Sequence, residues 1–592
     1  MPSPVPARRP RGPRAGEPAP LRSRSIADRP APPVVEPTAP IEAPAAPEQP
    51  AAAAPTWWRW GLLAIVVVAG VARFVSLGAR PMHHDESIDA WFSWQIAHGR
   101  PYHYDPVYHG PMRFYATAAL FHLLGESETT ARVLAASCGT AIVAVVGLTR
   151  RWLGTIGSLA AAAMVAVSPS MLYFSRFGRE DTPMALLELG LLVVVMAWLT
   201  RPTKWHPVIA GALLAAAFAV KETSFIVVAV TGSFLVVVWL VDVRRGRRAR
   251  RAGEPSADPA EPAGPASRSV LAGGLRTPGW RWWLLGAAAF ALVFGAAFSV
   301  GFTHPGGIAD GVTRGIRYWL SQQPVNRGAQ PWPFYLVLLA GYEWPIVLLA
   351  VGGLVAAVRR FDPARTLVAW VAVANLAIYS WASERFPWLV IHPLLPLILL
   401  AGIAVQAIWD SRARFAARAH PVLALVGPLA IAALALLAQP VVYAHPNDPR
   451  ELMVAVQTGP EVPRLRDRIA RIEAAAPKGH PPRIVVDTQE SITWPWAWYL
   501  RNFPVAYEDL HAHPETARGA DIVIAATDDV AALAPPASGW RSELYDHRVF
   551  WLPTWSSATV GQWFDWITTR RTFSPPGATQ AVELERRGLP GR

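Results

Sequence analysis

Five short groups of ionisable residues stand beside apolar runs, and each combines residue types suited to an anionic substrate. His83-His84-Asp85-Glu86, with Asp89, follows the first run. Arg176, Arg179, Glu180 and Asp181 lie between two later runs, Lys221-Glu222 forms a hairpin, Glu384-Arg385 precedes Phe386-Pro387-Trp388, and His392 falls inside the next run. Carboxylates supply general bases, while Lys, Arg and His supply charge-assisted donors to phosphate oxygens. Such groups are costly at a membrane boundary, so they face a polar cavity, pair with one another or line a substrate path. A lipid-linked phosphosugar suits the combination. Its tail partitions into the bilayer, its phosphate calls for cations, and its sugar must meet an acceptor hydroxyl or amide whose proton needs a base. One carboxylate and a cationic clamp on the phosphate leaving group suffice for that chemistry.

The elements that must position these groups are membrane helices. A chain of 592 residues that is 52% hydrophobic and only 16% charged is too apolar for a set of soluble domains. Apolar stretches at about 57–77, 130–149, 155–174, 183–200, 206–220, 223–241, 282–302, 343–358, 366–382, 386–407 and 421–440 predict a polytopic α-helical protein of about eleven spans. The run Met112–Leu124 is too short to cross and is placed in the interface, since about 13 residues of helix cover about 20 Å. That choice puts Arg150-Arg151, Arg201 with Lys204, Arg244 to Arg251, Arg359-Arg360 and Arg412 to Arg418 on one side, with the basic tail. The five groups then fall together on the other side, although none of them entered the assignment. The expectation is a multi-pass plasma-membrane protein whose N-terminus is cytoplasmic.

Three regions follow from composition. Residues 1–55, rich in Pro, Ala and Arg, read as a disordered cytoplasmic tail rather than a signal peptide, because the first apolar run begins at Trp57 with the length of a span. Residues 56–440 form the membrane domain, with a basic Pro/Gly-rich cytoplasmic loop at 244–281 suited to anionic lipid head groups. Residues 441–592 form a small extracytoplasmic α/β domain. Its strands are Arg483–Asp487 and Asp521–Ala526, with a helical segment around Trp496 to Arg501 between them. Neither strand leads into a glycine-rich turn, which argues against nucleotide binding. The single cysteine, Cys138, excludes an intramolecular disulfide and a cysteine zinc cluster. The net charge of +13 lies in tails and loops rather than on a folded face with stacking aromatics, so no nucleic-acid partner is expected.

The sequence resembles a known family at several of these places: Asp85-Glu86 after the first span, Ser175-Arg176-Phe177 leading to Glu180-Asp181-Thr182-Pro183-Met184, the Lys221-Glu222 hairpin, and Glu384-Arg385-Phe386-Pro387-Trp388-Leu389-Val390-Ile391-His392-Pro393. In order and spacing these are similar to the C-type membrane glycosyltransferases, in the protein O-mannosyltransferase and aminoarabinose-transferase branch. The nearest likeness is to a group known as flippase activity-associated in N-glycosylation. The likeness runs from about Trp57 to Pro440, and Trp494-Pro495-Trp496 with Tyr499-Leu500-Arg501 resembles that group's outer domain. It implies transfer of a sugar from a polyprenyl-phosphate donor to a protein, lipid or glycan acceptor at the outer face, with inversion at the anomeric carbon. By position Asp85 is the base. Glu86, Glu180 and Asp181 orient acceptor and sugar, while Arg179, Lys221, Glu222, Glu384, Arg385 and His392 bind substrate and lipid phosphate. Many relatives have Lys before the Pro-Trp where this chain has Arg385, which changes donor geometry.

Plainer readings stand beside these. Asp85-Glu86 and Glu180-Asp181 suit helix starts, Lys221-Glu222 can neutralise itself within a hairpin, and Arg385 and His392 can be buried structural groups. No cofactor is required; His83, His84 and Asp85 are candidate ligands for a divalent cation, although adjacent side chains rarely point at one ion. Trp494, Trp496, Trp498 and Tyr499 suit packing or a membrane interface better than a sugar platform. Two other functions share the same residues: a non-enzymatic accessory or transporter of lipid-linked sugars, and a structural partner in envelope-polymer assembly.

Overall fold

Helices occupy all eleven apolar stretches, because a backbone without water must satisfy its polar groups within its own segment. The computed structural model describes residues 54–251, 270–325, 327–328, 330–359, 362–412, 420–477, 479–533 and 539–591. The expected disordered tail, apart from its last two residues, and the centre of the 244–281 loop lie outside the described residues, as do Arg360, Arg414 and Arg418. Among the described residues, seven helices are long and apolar enough to cross a membrane, or nine when each of two bent pairs is taken as one span. The remaining two stretches form His206–Val220, of 15 residues, and Pro363–Trp381. The bends are 57° between Thr155–Val167 and Pro169–Ser175, and 106° between Phe334–Tyr342 and Trp344–Arg359. Pro169 opens the second member of the first pair, where its missing N–H costs nothing.

Two helices lie outside the spans, in the stretch between Thr56–Phe74 and Glu128–Gly147. His84–Ala97 starts with a capping box: the His83 ring accepts from the Asp85 N–H, and the Glu86 carboxylate accepts from the His83 N–H at 2.9 Å. Met112–Leu124 is the short apolar run, and it packs against His84–Ala97 and Glu128–Gly147.

The C-terminal region is a six-stranded mixed sheet in the order β1-β5-β6-β4-β2-β3. The strands are β1 Gln457–Thr458, β2 Ile484–Asp487, β3 Val505–Glu508, β4 Ile522–Ala526, β5 Trp540–Phe550 and β6 Gly577–Arg586. β2 pairs in parallel with both β3 and β4, and its four residues are buried, as a continuous apolar run requires of a strand covered on both faces. Trp496 and Trp498 are sealed in a core that also takes Met82, Ala90 and Phe121 from the stretch between the first two spans and Ala131 from the helix Glu128–Gly147. These indoles are packing residues, as their environment demands, and the sheet domain shares one hydrophobic core with that stretch.

Candidate functional site

Members of four of the five groups that the sequence placed on one side meet in a single cluster. Asp85 pairs with Arg179. Arg179 also donates to Glu180 at 2.8 Å, lies 3.5 Å from Asp181 and rests 4.6 Å above the Trp388 ring. The Lys221 ammonium donates to Glu180 at 3.0 Å and to Asp181 at 2.5 Å. His392 contacts Glu188 at 2.8 Å and Asp181 at 3.6 Å and stacks on Tyr379. Lys221 and Glu222 do not neutralise each other. Glu222 turns instead to the His109 ring at 2.8 Å and accepts from the Tyr104 hydroxyl at 2.9 Å.

Three partners were not singled out in the sequence. Arg113, one residue into the short helix, pairs with Asp89 and reaches Glu180 at 3.1 Å. His109 lies 3.4 Å from Glu180 and stacks on Trp319, and Glu188 anchors His392. Arg113 carried a signal, since an arginine opening an apolar run on the side away from the basic loops opposes the positive-inside bias. His109 depends on the glycine after it. A Cβ at Gly110 would stand 2.1 Å from the Ala219 carbonyl oxygen, so any larger residue would push the loop away from Glu180 and Glu222.

Six carboxylates therefore face three permanent cations and two histidines. Burial alone would raise the Asp85 carboxyl, but the Arg179 guanidinium beside it outweighs that effect and holds the group below its usual range. Burial is likewise outweighed at Glu180, where Arg179, Lys221 and Arg113 hold the carboxyl well below its ordinary value. Asp181 and Glu180 in turn raise the Lys221 ammonium against the effect of burial. Asp85, Glu180 and Lys221 are thus ionised at neutral pH. Asp85 is its accessible carboxylate, with a side chain 25% exposed where that of Glu180 is sealed.

The structure places four of the expected site residues differently. Glu86 points away from the cluster. It is sealed beneath Arg132, which donates to both of its oxygens at 2.8 Å, and it also accepts from the Gly178 N–H at 2.6 Å and the His83 N–H. It is a buried structural counter-ion rather than a group that can meet substrate. Arg385 spends its guanidinium on the carbonyls of Ser380, Trp381 and Gln330, and so ties its hairpin to the segment before Phe334–Tyr342. From that motif Trp388 and His392, not Arg385, touch the cluster. His83 donates from Nε2 to the Ala455 carbonyl, and His84 is half-buried beside Trp494, where desolvation pushes its ring down to about 4, so they do not converge with Asp85 on an ion. Among the described residues no group of three His, Cys, Asp or Glu side chains is arranged to hold a metal.

A cavity of about 360 Å³ abuts the cluster. Phe225, Ile226, Ile316, Leu320, Ala382 and Leu389 make its apolar wall, while Lys221, His109, Glu222 and Glu384 gather as its polar lining. Glu384 therefore does belong to this space, unlike its neighbour Arg385.

Apolar helices, a carboxylate-rich loop after the first of them and a C-terminal sheet domain make up the fold of a C-type membrane glycosyltransferase, and comparison with known proteins agrees. ArnT from Cupriavidus metallidurans, solved in the apo state and bound to undecaprenyl phosphate, matches with a TM-score of 0.57 over 90% of this chain and 99% of that one, at 16% identity. Residues 108–246 match the family of dolichyl-phosphate-mannose-protein mannosyltransferases, and that segment carries His109, Arg113, Glu180, Asp181, Glu188, Lys221 and Glu222. Over 76 residues the chain is 41% identical to the undecaprenyl phosphate-alpha-4-amino-4-deoxy-L-arabinose arabinosyl transferase 1 of Pseudomonas fluorescens, a match spanning 12% of this chain and 14% of that relative. The resemblance to the O-mannosyltransferase and aminoarabinose-transferase branch holds at the level of fold.

Proposed function

We propose that the protein transfers a sugar from a polyprenyl-phosphate donor to a protein, lipid or glycan acceptor. The observation that carries this reading is the apolar cavity lined at its polar part by Lys221 and His109 and joined through Lys221 to the Asp85–Arg179–Glu180–Asp181 cluster. Isoprene units suit the wall formed by Phe225, Ile226, Ile316 and Leu320. The phosphate is met by Lys221 and the His109 ring, which hold the charge that develops as the sugar–phosphate bond breaks. Asp85 accepts the proton of the attacking hydroxyl or amide. Attack from the face opposite the phosphate inverts the anomeric carbon. Glu180 and Asp181 hold Arg179 and Lys221 in place, and the matched transferases support the same donor class.

The outer loops share a core with the C-terminal sheet, which supports placing cluster and sheet on one side of the membrane. We assign that side to the exterior and the N-terminus to the cytoplasm, from the basic loops. A probe cysteine near Ser491 should be labelled in intact cells, and labelling only after permeabilisation would reverse the assignment. The activity is tested by giving purified protein in lipid nanodiscs a panel of polyprenyl-phosphate sugars with candidate acceptors. Release of free polyprenyl phosphate, followed by mass spectrometry, is the expected result. Donor binding without release from any member would leave the accessory reading in its place.

A further inference from the structure

The loop that delivers Asp85 is held from outside the membrane domain. Gln457 donates to the Pro81 carbonyl at 3.2 Å, and the Thr458 hydroxyl donates to the Met82 carbonyl at 2.6 Å. The Met82 N–H donates to the Tyr499 hydroxyl at 2.9 Å, and the His83 ring donates from Nε2 to the Ala455 carbonyl at 2.6 Å. All four partners belong to the C-terminal region: Ala455 lies just before β1, Gln457 and Thr458 form β1, and Tyr499 ends the helix Thr493–Tyr499. Val456, between them, is held at φ +51°, a costly region for a β-branched residue that persists only where the surroundings over-determine it. It is flanked on both sides by residues bonded to the loop.

The His83 contact passes directly to Asp85. A carbonyl can only accept, so Nε2 carries the ring hydrogen and Nδ1 keeps its lone pair, which accepts the Asp85 N–H at 3.0 Å. A chain of two hydrogen bonds thus runs from the Ala455 carbonyl through the neutral imidazole to the backbone of Asp85.

We propose that the C-terminal domain is a positioning element for the reaction, with Thr458, Tyr499 and the Ala455–His83 bond setting where the Asp85 carboxylate stands. The proposal rests on the transferase reading given above. None of these groups need touch substrate. They act through the loop, and a displacement of about 1 Å in a reacting group can cost on the order of 100-fold in rate.

The test uses full-length protein in nanodiscs, with Tyr499→Phe and Thr458→Val as single variants. Each should lower kcat by roughly 10- to 100-fold while donor KM stays within about twofold, and each should raise amide exchange over 82–89 without raising it across β2, β4 and β6. Thr458→Ser, which retains the hydroxyl, should restore both readouts. His83→Asn supplies a second route: it keeps an acceptor for the helix cap but is too short to hold Ala455, and it should behave as Tyr499→Phe does. Unchanged exchange over 82–89, or raised exchange with wild-type kcat, overturns the proposal. If wild-type protein releases no polyprenyl phosphate, the transferase reading fails, whereas the exchange comparison still decides whether the domain holds the loop.

Discussion

Replacing Asp85 with Asn separates the chemistry of the cluster from its stability. The amide keeps the size of the carboxylate and removes its charge. Arg179 loses one partner but retains Glu180 at 2.8 Å and Asp181 at 3.5 Å, and the Asp85 side chain is already 25% exposed. The fold should therefore lose no more than about 1.5–3 kcal/mol, the worth of a hydrogen bond to a charged group. Loss of a general base costs roughly 10² to 10⁴ in rate, which is about 2.7 to 5.4 kcal/mol of barrier. Turnover, measured as polyprenyl phosphate released, should fall at least about 100-fold in protein that folds and binds donor. Glu86→Gln is the contrasting control. It leaves the fully buried Arg132 guanidinium without its counter-ion, and breaking such a pair costs about 3–5 kcal/mol, so the variant should show itself as lost yield and lowered thermal stability. If Asp85→Asn retains more than about a tenth of wild-type turnover, the loss is below a general-base contribution. The base must then be sought at Glu180 or Asp181.

Lys221→Met should weaken binding of labelled polyprenyl phosphate by at least about tenfold, or 1.4 kcal/mol; an unchanged Kd would remove the cavity from the donor path. Arg385→Ala should leave that Kd unchanged and lower stability, because its donors bind the backbone carbonyls of Ser380, Trp381 and Gln330; weakened binding in a fully stable variant would restore Arg385 to the site. His547, sealed against the Trp494 carbonyl, is pushed down to about 3 by burial and by Arg548. Below its ordinary value of about 6.5 the unfolded chain holds one more proton than the folded one, so stability should fall with pH from 6.5 toward 3, by up to about 1.4 kcal/mol per pH unit for this group. Melting curves across that range should flatten on the acid side in His547→Gln, and an unaltered slope would refute the assignment.

The eleven helices and the strands Ile484–Asp487 and Ile522–Ala526 were legible from the chain because each is decided by local apolar runs of characteristic length. The gathering of Asp85, Glu180, Asp181, Lys221 and His392 was legible as well, for a different reason. Basic loops fix the side on which every intervening loop emerges, and charges confined to that side at a membrane boundary must find one another. Which oxygen meets which cation was beyond reach. Asp85 and Glu86 are neighbours in sequence, yet successive helical residues point about 100° apart; one faces Arg179 and the other is sealed under Arg132. Arg113, His109 and Glu188 have partners 24 to 204 residues away, and Arg385 found carbonyls closer than any phosphate. His83, with the types and position of a metal ligand, became a cap whose ring is fixed by Ala455, 372 residues distant. Hydrophobicity is additive along the chain and can be read there. The direction of a side chain is settled only by the atoms that surround it.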